Sequence, residues 1–172
     1  MNVRLVSPTP GANLLDKIAM MARVSNPNNQ ENNRTAEKLV RYLIKHKHWS
    51  PFEMANIVLE ITTTRDIGRQ ILRHRSFSFQ EFSQRYADVG DLGYPYELKD
   101  CRMQDKKNRQ NSIEMDKNTL LAQHWFQQQK RVIDVASSAY KWALDQGIAK
   151  EQARAVLPEG LTISRMYMQG SV

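Results

Sequence analysis

Ala55-Asn56-Ile57-Val58-Leu59-Glu60-Ile61-Thr62-Thr63 alternates apolar and polar residues and runs straight into Thr64-Arg65-Asp66. Ala55, Ile57, Leu59, Ile61 and Thr63 share one face, while Asn56, Glu60 and Thr62 fall on the other with Val58. That is the period of a half-buried strand. Thr64 can cap a helix from Arg65 to about His74, with Asp66 favoured in its electropositive first turn. Phe77 and Phe79 then alternate with Ser76, Ser78 and Gln80, so the chain becomes extended again.

Upstream, Asn2 to Val6 reads as a short strand closed by Ser7-Pro8-Thr9-Pro10-Gly11. Leu14 to Val24 reads as a helix with Leu14, Leu15, Ile18, Ala19 and Ala22 on one face. The Asn-rich run from Asn26 to Asn33 is loop. Thr35 can cap a second helix whose Leu39, Val40, Leu43 and Ile44 form a buried stripe. Downstream, residues 87–117 are polar and irregular, and a loop of that length is usually functional or disordered. A long helix is expected from Thr119 to Gln146, with Leu121, Trp125, Val132, Ile133, Ala136, Tyr140 and Leu144 near helical spacing and Gly147 as its stop. A short helix from Ala149 to Val156 ends at Leu157-Pro158, and Leu161 to Gln169 alternates once more. Strands and helices do not alternate regularly. The expected class is α+β, a single domain with a mixed or antiparallel sheet packed against helices, one of them long.

At 172 residues the chain has the size of one domain and can bury a core. Its formal charge of +7 points to an anionic partner without choosing among nucleic acid, nucleotide phosphate and acidic protein. A single cysteine, Cys101, rules out an intrachain disulfide; no base stands beside it, and it reads as a surface thiol. No stretch approaches the roughly 18 apolar residues needed to span a membrane, and the N-terminus has no signal-peptide core. A soluble, cytoplasmic protein is expected (host cytoplasm if viral), with no membrane partner. The histidines His46, His48, His74 and His124 form no zinc pattern, so no metal is expected. Neither G-x-G-x-x-G nor a P-loop occurs among the glycines, which leaves side chains to hold any nucleotide.

Between Gln70 and Arg85 the chain concentrates Gln70, Arg73, His74, Arg75, Gln80, Glu81, Ser83, Gln84 and Arg85. Guanidinium forks match phosphate oxygens, and Gln and Glu offer the donors and acceptors that suit a pyrimidine edge. Alone, Arg73 and Arg75 would read as a solvated helix end. The interleaved Phe77, Phe79, Phe82 and Tyr86 change that, because anchored aromatics would hold the polar groups in fixed directions. Ser83 has no adjacent His, so it reads as a hydrogen-bond donor and not as a nucleophile.

Arg73-His74-Arg75, seven residues, then Ser83, continuing into Gln84-Arg85-Tyr86, resembles the signature of the flavin-dependent thymidylate synthases. Ala22-Arg23-Val24-Ser25, His48-Trp49-Ser50-Pro51-Phe52-Glu53 and Ala153-Arg154-Ala155-Val156-Leu157-Pro158 resemble further segments of that family in the right order, so the resemblance spans nearly the whole chain. It implies reductive methylation of dUMP to dTMP, with methylenetetrahydrofolate as carbon donor and NADPH as electron donor through FAD. It also implies a homotetramer with shared active sites. Carried over by position, Gln70, Arg73, Glu81, Ser83, Arg85 and Arg154 would contact dUMP. Ser25, His48, Ser50, Arg73, His74, Arg75 and Glu81 would line the FAD site.

The family's FAD-contacting Arg and Asn on a further helix, and its pyrimidine-activating Arg, would lie beyond Val172. No catalytic residue is therefore identifiable, and residues 1–172 are expected to be the family domain without its C-terminal part, with 87–117 a polar loop insertion. Two other readings compete with the synthase. One is a non-catalytic nucleotide- or RNA-binding module that uses the Phe residues as stacking platforms; the other is an inactive truncated synthase. The module predicts exposed aromatics beside lysines, whereas the synthase predicts anchored ones and no polymeric nucleic acid partner.

Overall fold

In a computed structural model, residues 1–11, 13–93 and 95–171 are described. β1 (Asn2–Pro8), β2 (Asn56–Thr64), β3 (Ser78–Glu81) and β6 (Ile163–Ser171) form a four-stranded sheet in the order β1-β2-β6-β3. Neighbours run antiparallel. Thr9, just past β1, donates its N–H to the Asn56 carbonyl at 2.7 Å while Arg4 reaches Glu60 at 3.1 Å. Tyr167 donates to Glu60 at 2.8 Å and Gln169 to Asn56 at 2.9 Å, so β6 ascends as β2 descends. The helices are α1 (Leu14–Ala22), α2 (Ala36–Lys45), α3 (Ser50–Glu53), α4 (Arg65–Ile71), α5 (Leu120–Asp145) and α6 (Lys150–Ala153). The α+β class and the single long helix hold.

Two compact units emerge. One contains Asn2–Ile61, His74–Gln80 and the chain from Met166 onward; the other contains Thr62–Arg73 and Glu81–Arg165, with Met1. Their boundaries fall inside β2, β3 and β6 and not in linkers, in keeping with the one-domain reading.

In the first unit the core is Ile18, Val40, Leu43 and Ala55, flanked by Leu14, Ala22, Leu39 and Phe52. The expected helical stripes supply it, although Leu15 and Ile44 remain exposed at their edges. Asn13 caps α1 by accepting the Leu15 N–H at 3.0 Å. Thr35 stands at the start of α2 but does not cap it. Its hydroxyl instead accepts from the buried Arg23 guanidinium at 2.9 Å, and a second Arg23 nitrogen donates to the Asn32 carbonyl, which ties the Asn-rich loop down. That loop holds two single-turn 3-10 segments, Pro27–Asn29 and Asn33–Thr35.

In the second unit Val89, Tyr140, Ala143, Ala153 and Leu157 form the core, with Tyr96 and Leu144 against it. Thr119 caps α5 by accepting the Ala122 N–H at 3.2 Å, and Gly147 ends it with φ +76°, a left-handed conformation that glycine adopts without a Cβ penalty. Of the residues expected on the inner face of α5, Ala136 and Tyr140 are buried, whereas Leu121, Trp125 and Val132 point outward. α4 also ends earlier than expected, at Ile71.

Segment 87–117 is more ordered than its composition implies. Asp88 and Asp91 close a capping box around a 3-10 turn, Val89–Leu92. β4 (Arg102–Gln104) and β5 (Ser112–Glu114) pair antiparallel, Met103 opposite Ile113. Arg102 reinforces the pair by donating to the Ser112 hydroxyl at 2.7 Å and to Glu114 at 2.9 Å. At the turn, the Asp105 carboxylate accepts from the Lys107 and Asn108 backbone and the Asn111 side chain, which together hold it below its usual range. Strands of three residues with a polar turn carry too little alternation to be read locally.

Gly170 on β6 is buried, and a Cβ there would overlap the Phe77 ring. Overpacking of that kind costs about 1–3 kcal/mol. Gly170→Ala should lower the urea unfolding midpoint accordingly, and an unchanged midpoint would contradict this close approach.

Candidate active site

β3 leads from the sheet into a turn in which Ser83 accepts the backbone N–H groups of Tyr86 (3.1 Å) and Ala87 (3.0 Å). That turn presents Ser83, Arg85 and Tyr86 to one wall of a cleft of about 450 Å³, opposite Ala149, Lys150 and Glu151 at the start of α6. Arg85 pairs with Glu151 at 3.4 Å, and Lys150 donates to the Tyr86 carbonyl at 3.2 Å. Both members of the Arg85–Glu151 pair are largely exposed, so the pair contributes little stability and an anion can replace the carboxylate at small cost. No histidine lines the cleft among the described residues, so Ser83 has no Ser-His pairing there, and its hydroxyl is suited to donating a hydrogen bond. Lys150 was not legible as a site residue, because nothing in its sequence neighbourhood distinguishes it from a surface lysine.

Arg154 follows α6 and donates Nε–H to the Glu151 carbonyl at 3.3 Å. It is therefore tied to the cleft wall without lining the cleft. Gln70 and Arg73 lie at the end of α4, both exposed and outside that lining. Glu81 is set deeper. Its Oε1 accepts the Ser164 hydroxyl at 2.9 Å and faces the Arg65 guanidinium at 3.6 Å. Arg65 is 5% exposed and also donates to Glu159 at 3.1 Å, as does Arg69. Nothing local marks Arg65 for this role, since its partners are 16 and 94 residues away.

Among the residues expected at a flavin, Ser25 is exposed beyond α1, and Ser50 opens α3. His48 forms a ring cluster with Tyr42 and His46, its centroid 6.2 Å from each. The His74 ring stacks flat on Phe77, centroids 4.0 Å apart and planes 9° from parallel. Arg73 and Arg75 are exposed and pair with no carboxylate among the described residues. A planar ring platform and uncommitted guanidinium groups suit a flat cofactor bearing a diphosphate. Phe77, Phe79 and Phe82 are half-buried, as anchoring requires; Tyr86, 88% exposed, is not an anchor. Cys101 is half-buried, its Sγ 3.8 Å from the Met115 sulfur.

The sequence profile of the family described as thymidylate synthase complementing protein matches residues 4–172. The chain is 46% identical over 180 aligned residues to a probable flavin-dependent thymidylate synthase of Paramecium bursaria Chlorella virus 1, covering 100% of this chain and 80% of that protein. It is 47% identical to a flavin-dependent thymidylate synthase of Synechocystis sp., with the same coverage. The chain belongs to the flavin-dependent thymidylate synthase family. A UMP/dUMP methylase from Streptomyces cacaoi, solved with 5-Br dUMP, superposes on this family member with a TM-score of 0.80 at 28% identity, over 99% of this chain and 72% of that one. Within this synthase-family chain, no helix among the described residues is long and apolar enough to cross a membrane.

Partial burial pushes the Glu159 carboxyl up, but hydrogen bonds from Arg69 and Arg65 outweigh it and hold the group below its ordinary value of 4.5. A carboxyl depressed in the folded state contributes stability above its unfolded value and loses it as pH falls through the folded value. The melting temperature should therefore fall more steeply below about pH 4.5 in the native protein than in Glu159→Gln; parallel profiles would contradict the assignment.

Proposed function

We propose that this chain binds dUMP and FAD and carries out reductive methylation of dUMP to dTMP, with methylenetetrahydrofolate and NADPH as co-substrates. The observation that carries the reading is the cleft in which the Ser83–Tyr86 turn of the family signature meets Lys150. Two cations, Arg85 and Lys150, line it with the hydroxyl-bearing Ser83 and Tyr86 and the displaceable Glu151 carboxylate, which suits a nucleoside monophosphate carrying up to two negative charges. Family membership supports the reaction, and the methylase solved with 5-Br dUMP supports the substrate class.

In this reading Arg85 exchanges its contact with Glu151 for the 5′-phosphate, and Lys150 supplies a second charge. Ser83 donates a hydrogen bond to the nucleotide. Arg154, tied to the Glu151 carbonyl, is a further contact to dUMP. Gln70, Arg73 and Glu81 contact the pyrimidine side, Glu81 being held in direction by Ser164 and Arg65. Arg73, His74, Arg75 and Glu81, with Ser25, His48 and Ser50, hold FAD; Arg73 and Arg75 offset its diphosphate, and His74 offers a ring face. Bound FAD would pass electrons from NADPH to the transferred carbon. The same family reading carries a homotetramer with shared active sites, the one-domain extent of residues 1–172, and 87–117 as a polar loop insertion. In this reading the protein is soluble and cytoplasmic, or in the host cytoplasm if viral.

Two measurements test this. The purified protein should be yellow or take up FAD, with flavin absorbance that shifts on adding dUMP; a colourless protein that cannot be reconstituted would end the working-enzyme reading. Arg85→Ala should weaken dUMP binding by about tenfold or more, the loss of one charged hydrogen bond, with unchanged far-UV circular dichroism. Unaltered affinity would remove Arg85 from the phosphate site.

A further inference from the structure

The β4–β5 hairpin brings three sulfur atoms to one of its faces. Its register sets Arg102 opposite Glu114 and Met103 opposite Ile113, so the next pair, at the open end, is Cys101 with Met115. Across that pair Cys101 Sγ lies 3.8 Å from Met115 Sδ. Met103 stands two residues along an extended segment from Cys101 and therefore shares its face, 44% exposed. An ion bonded to two sulfurs at about 2.3 Å each holds them roughly 3.8–4.0 Å apart at tetrahedral or trigonal angles. The spacing on the hairpin is already that of two ligands of one ion. Met103, with three rotatable bonds and a polarizable thioether, can close a trigonal set.

The surroundings hold this arrangement in place and leave it reachable. Lys117 pairs with Asp100 at 2.9 Å and closes the open end of the hairpin beside the sulfur pair. Gln129 on α5 fixes the approach to Cys101, accepting the Lys99 N–H at 2.7 Å and donating to the Lys99 carbonyl at 2.9 Å. Cys101 and Met115 are half-buried, and Cys101 opens on a cleft of about 480 Å³ walled by Ala122 and Phe126. That is an entry path with an apolar lining. Ligand type then selects the metal. Among the described residues no three His, Cys, Asp or Glu side chains gather to hold an ion, which disfavours zinc, calcium and magnesium. Thiolate and thioether donors select Cu(I). The spacings by which metal sites are read from sequence count cysteine and histidine, so a set that is two-thirds thioether leaves no mark in them.

We propose that Cys101, Met115 and Met103 form a binding site for Cu(I), held by one thiolate and two thioethers. On binding, the Cys101 S–H bond gives way to a sulfur–copper bond, the proton passes to solvent, and the metal keeps its oxidation state. The inference uses no residue of the proposed nucleotide site and does not depend on the synthase reading.

Purified protein, loaded with FAD and kept anaerobic, should withdraw one Cu(I) per chain from its complex with bathocuproine disulfonate. Cys101→Ser should withdraw none. Met115→Leu, which nearly conserves side-chain volume, should weaken binding by about tenfold or more, the scale of losing even a group that only supports a ligand. Should Cys101→Ser fail to fold, Ag(I) replaces Cu(I) on native protein carrying 13C-labelled methionine methyls. One equivalent should shift two resonances, the one missing in Met103→Leu and the one missing in Met115→Leu. No withdrawal of Cu(I), full withdrawal by a folded Cys101→Ser, equal affinity in Met115→Leu, or Ag(I) that leaves either resonance in place would overturn the proposal.

Discussion

Arg65 sits where β2 gives way to α4, 5% exposed, and three parts of the chain meet on it. Its backbone N–H donates to the Thr162 carbonyl at 2.9 Å, its Nε to Glu159 at 3.1 Å, and its Nη1 faces Glu81 at 3.6 Å. A guanidinium this buried is tolerated only with its charge matched and its donors occupied. Removing Glu81, the more buried of its two carboxylates, would leave the Arg65 charge less matched in a poorly solvated place. The junction therefore specifies its own surroundings: the end of β3, the Glu159 turn and the first residues of β6 must all arrive there. Thr162, Ser164 and Thr64, all fully buried, complete the polar shell.

The proposed site inherits its geometry from this junction. Glu81 closes β3, and the next residues turn outward at Ser83 to form the cleft wall. A carboxylate clamped by Ser164 and Arg65 cannot swing, so the direction in which the signature leaves the sheet is set before any ligand binds. Arg85, Lys150, Arg73 and Arg75 lie at the other extreme, exposed or loosely paired, as groups must be if an anion is to engage them at low cost. Rigid support beneath accessible charge is the division of labour that phosphate recognition needs.

α5 carries two unlike faces. Alanines on its inner face let it approach the core around Val89 and Leu157 closely, and Gln129 satisfies the Lys99 backbone as a neighbouring strand would. The bulk excluded from that face appears on the other, where Trp125, Val132, Val135 and Trp142 are exposed. Hydrophobic periodicity says that such a helix has an apolar side. It does not say which of two candidate stripes faces the chain's own core.

The sequence by itself determined the local elements and the chemistry. Alternation at 55–63 and 161–169, the Thr119 cap and the Gly147 stop place strands and the long helix to within a few residues, because period and capping are encoded by near neighbours. The arginine-rich signature was equally legible, as were the half-buried phenylalanines between its polar groups. Tertiary structure alone decided the rest. Glu81 met Arg65 and Ser164, Arg85 met Glu151, and Thr35 gave up its capping role to Arg23 across gaps of 12 to 83 residues that no local pattern reports. The three-residue strands of the 102–114 hairpin were hidden for a related reason: their stability comes from pairing with each other and from Asp105 at the turn, and not from any propensity of the residues within them.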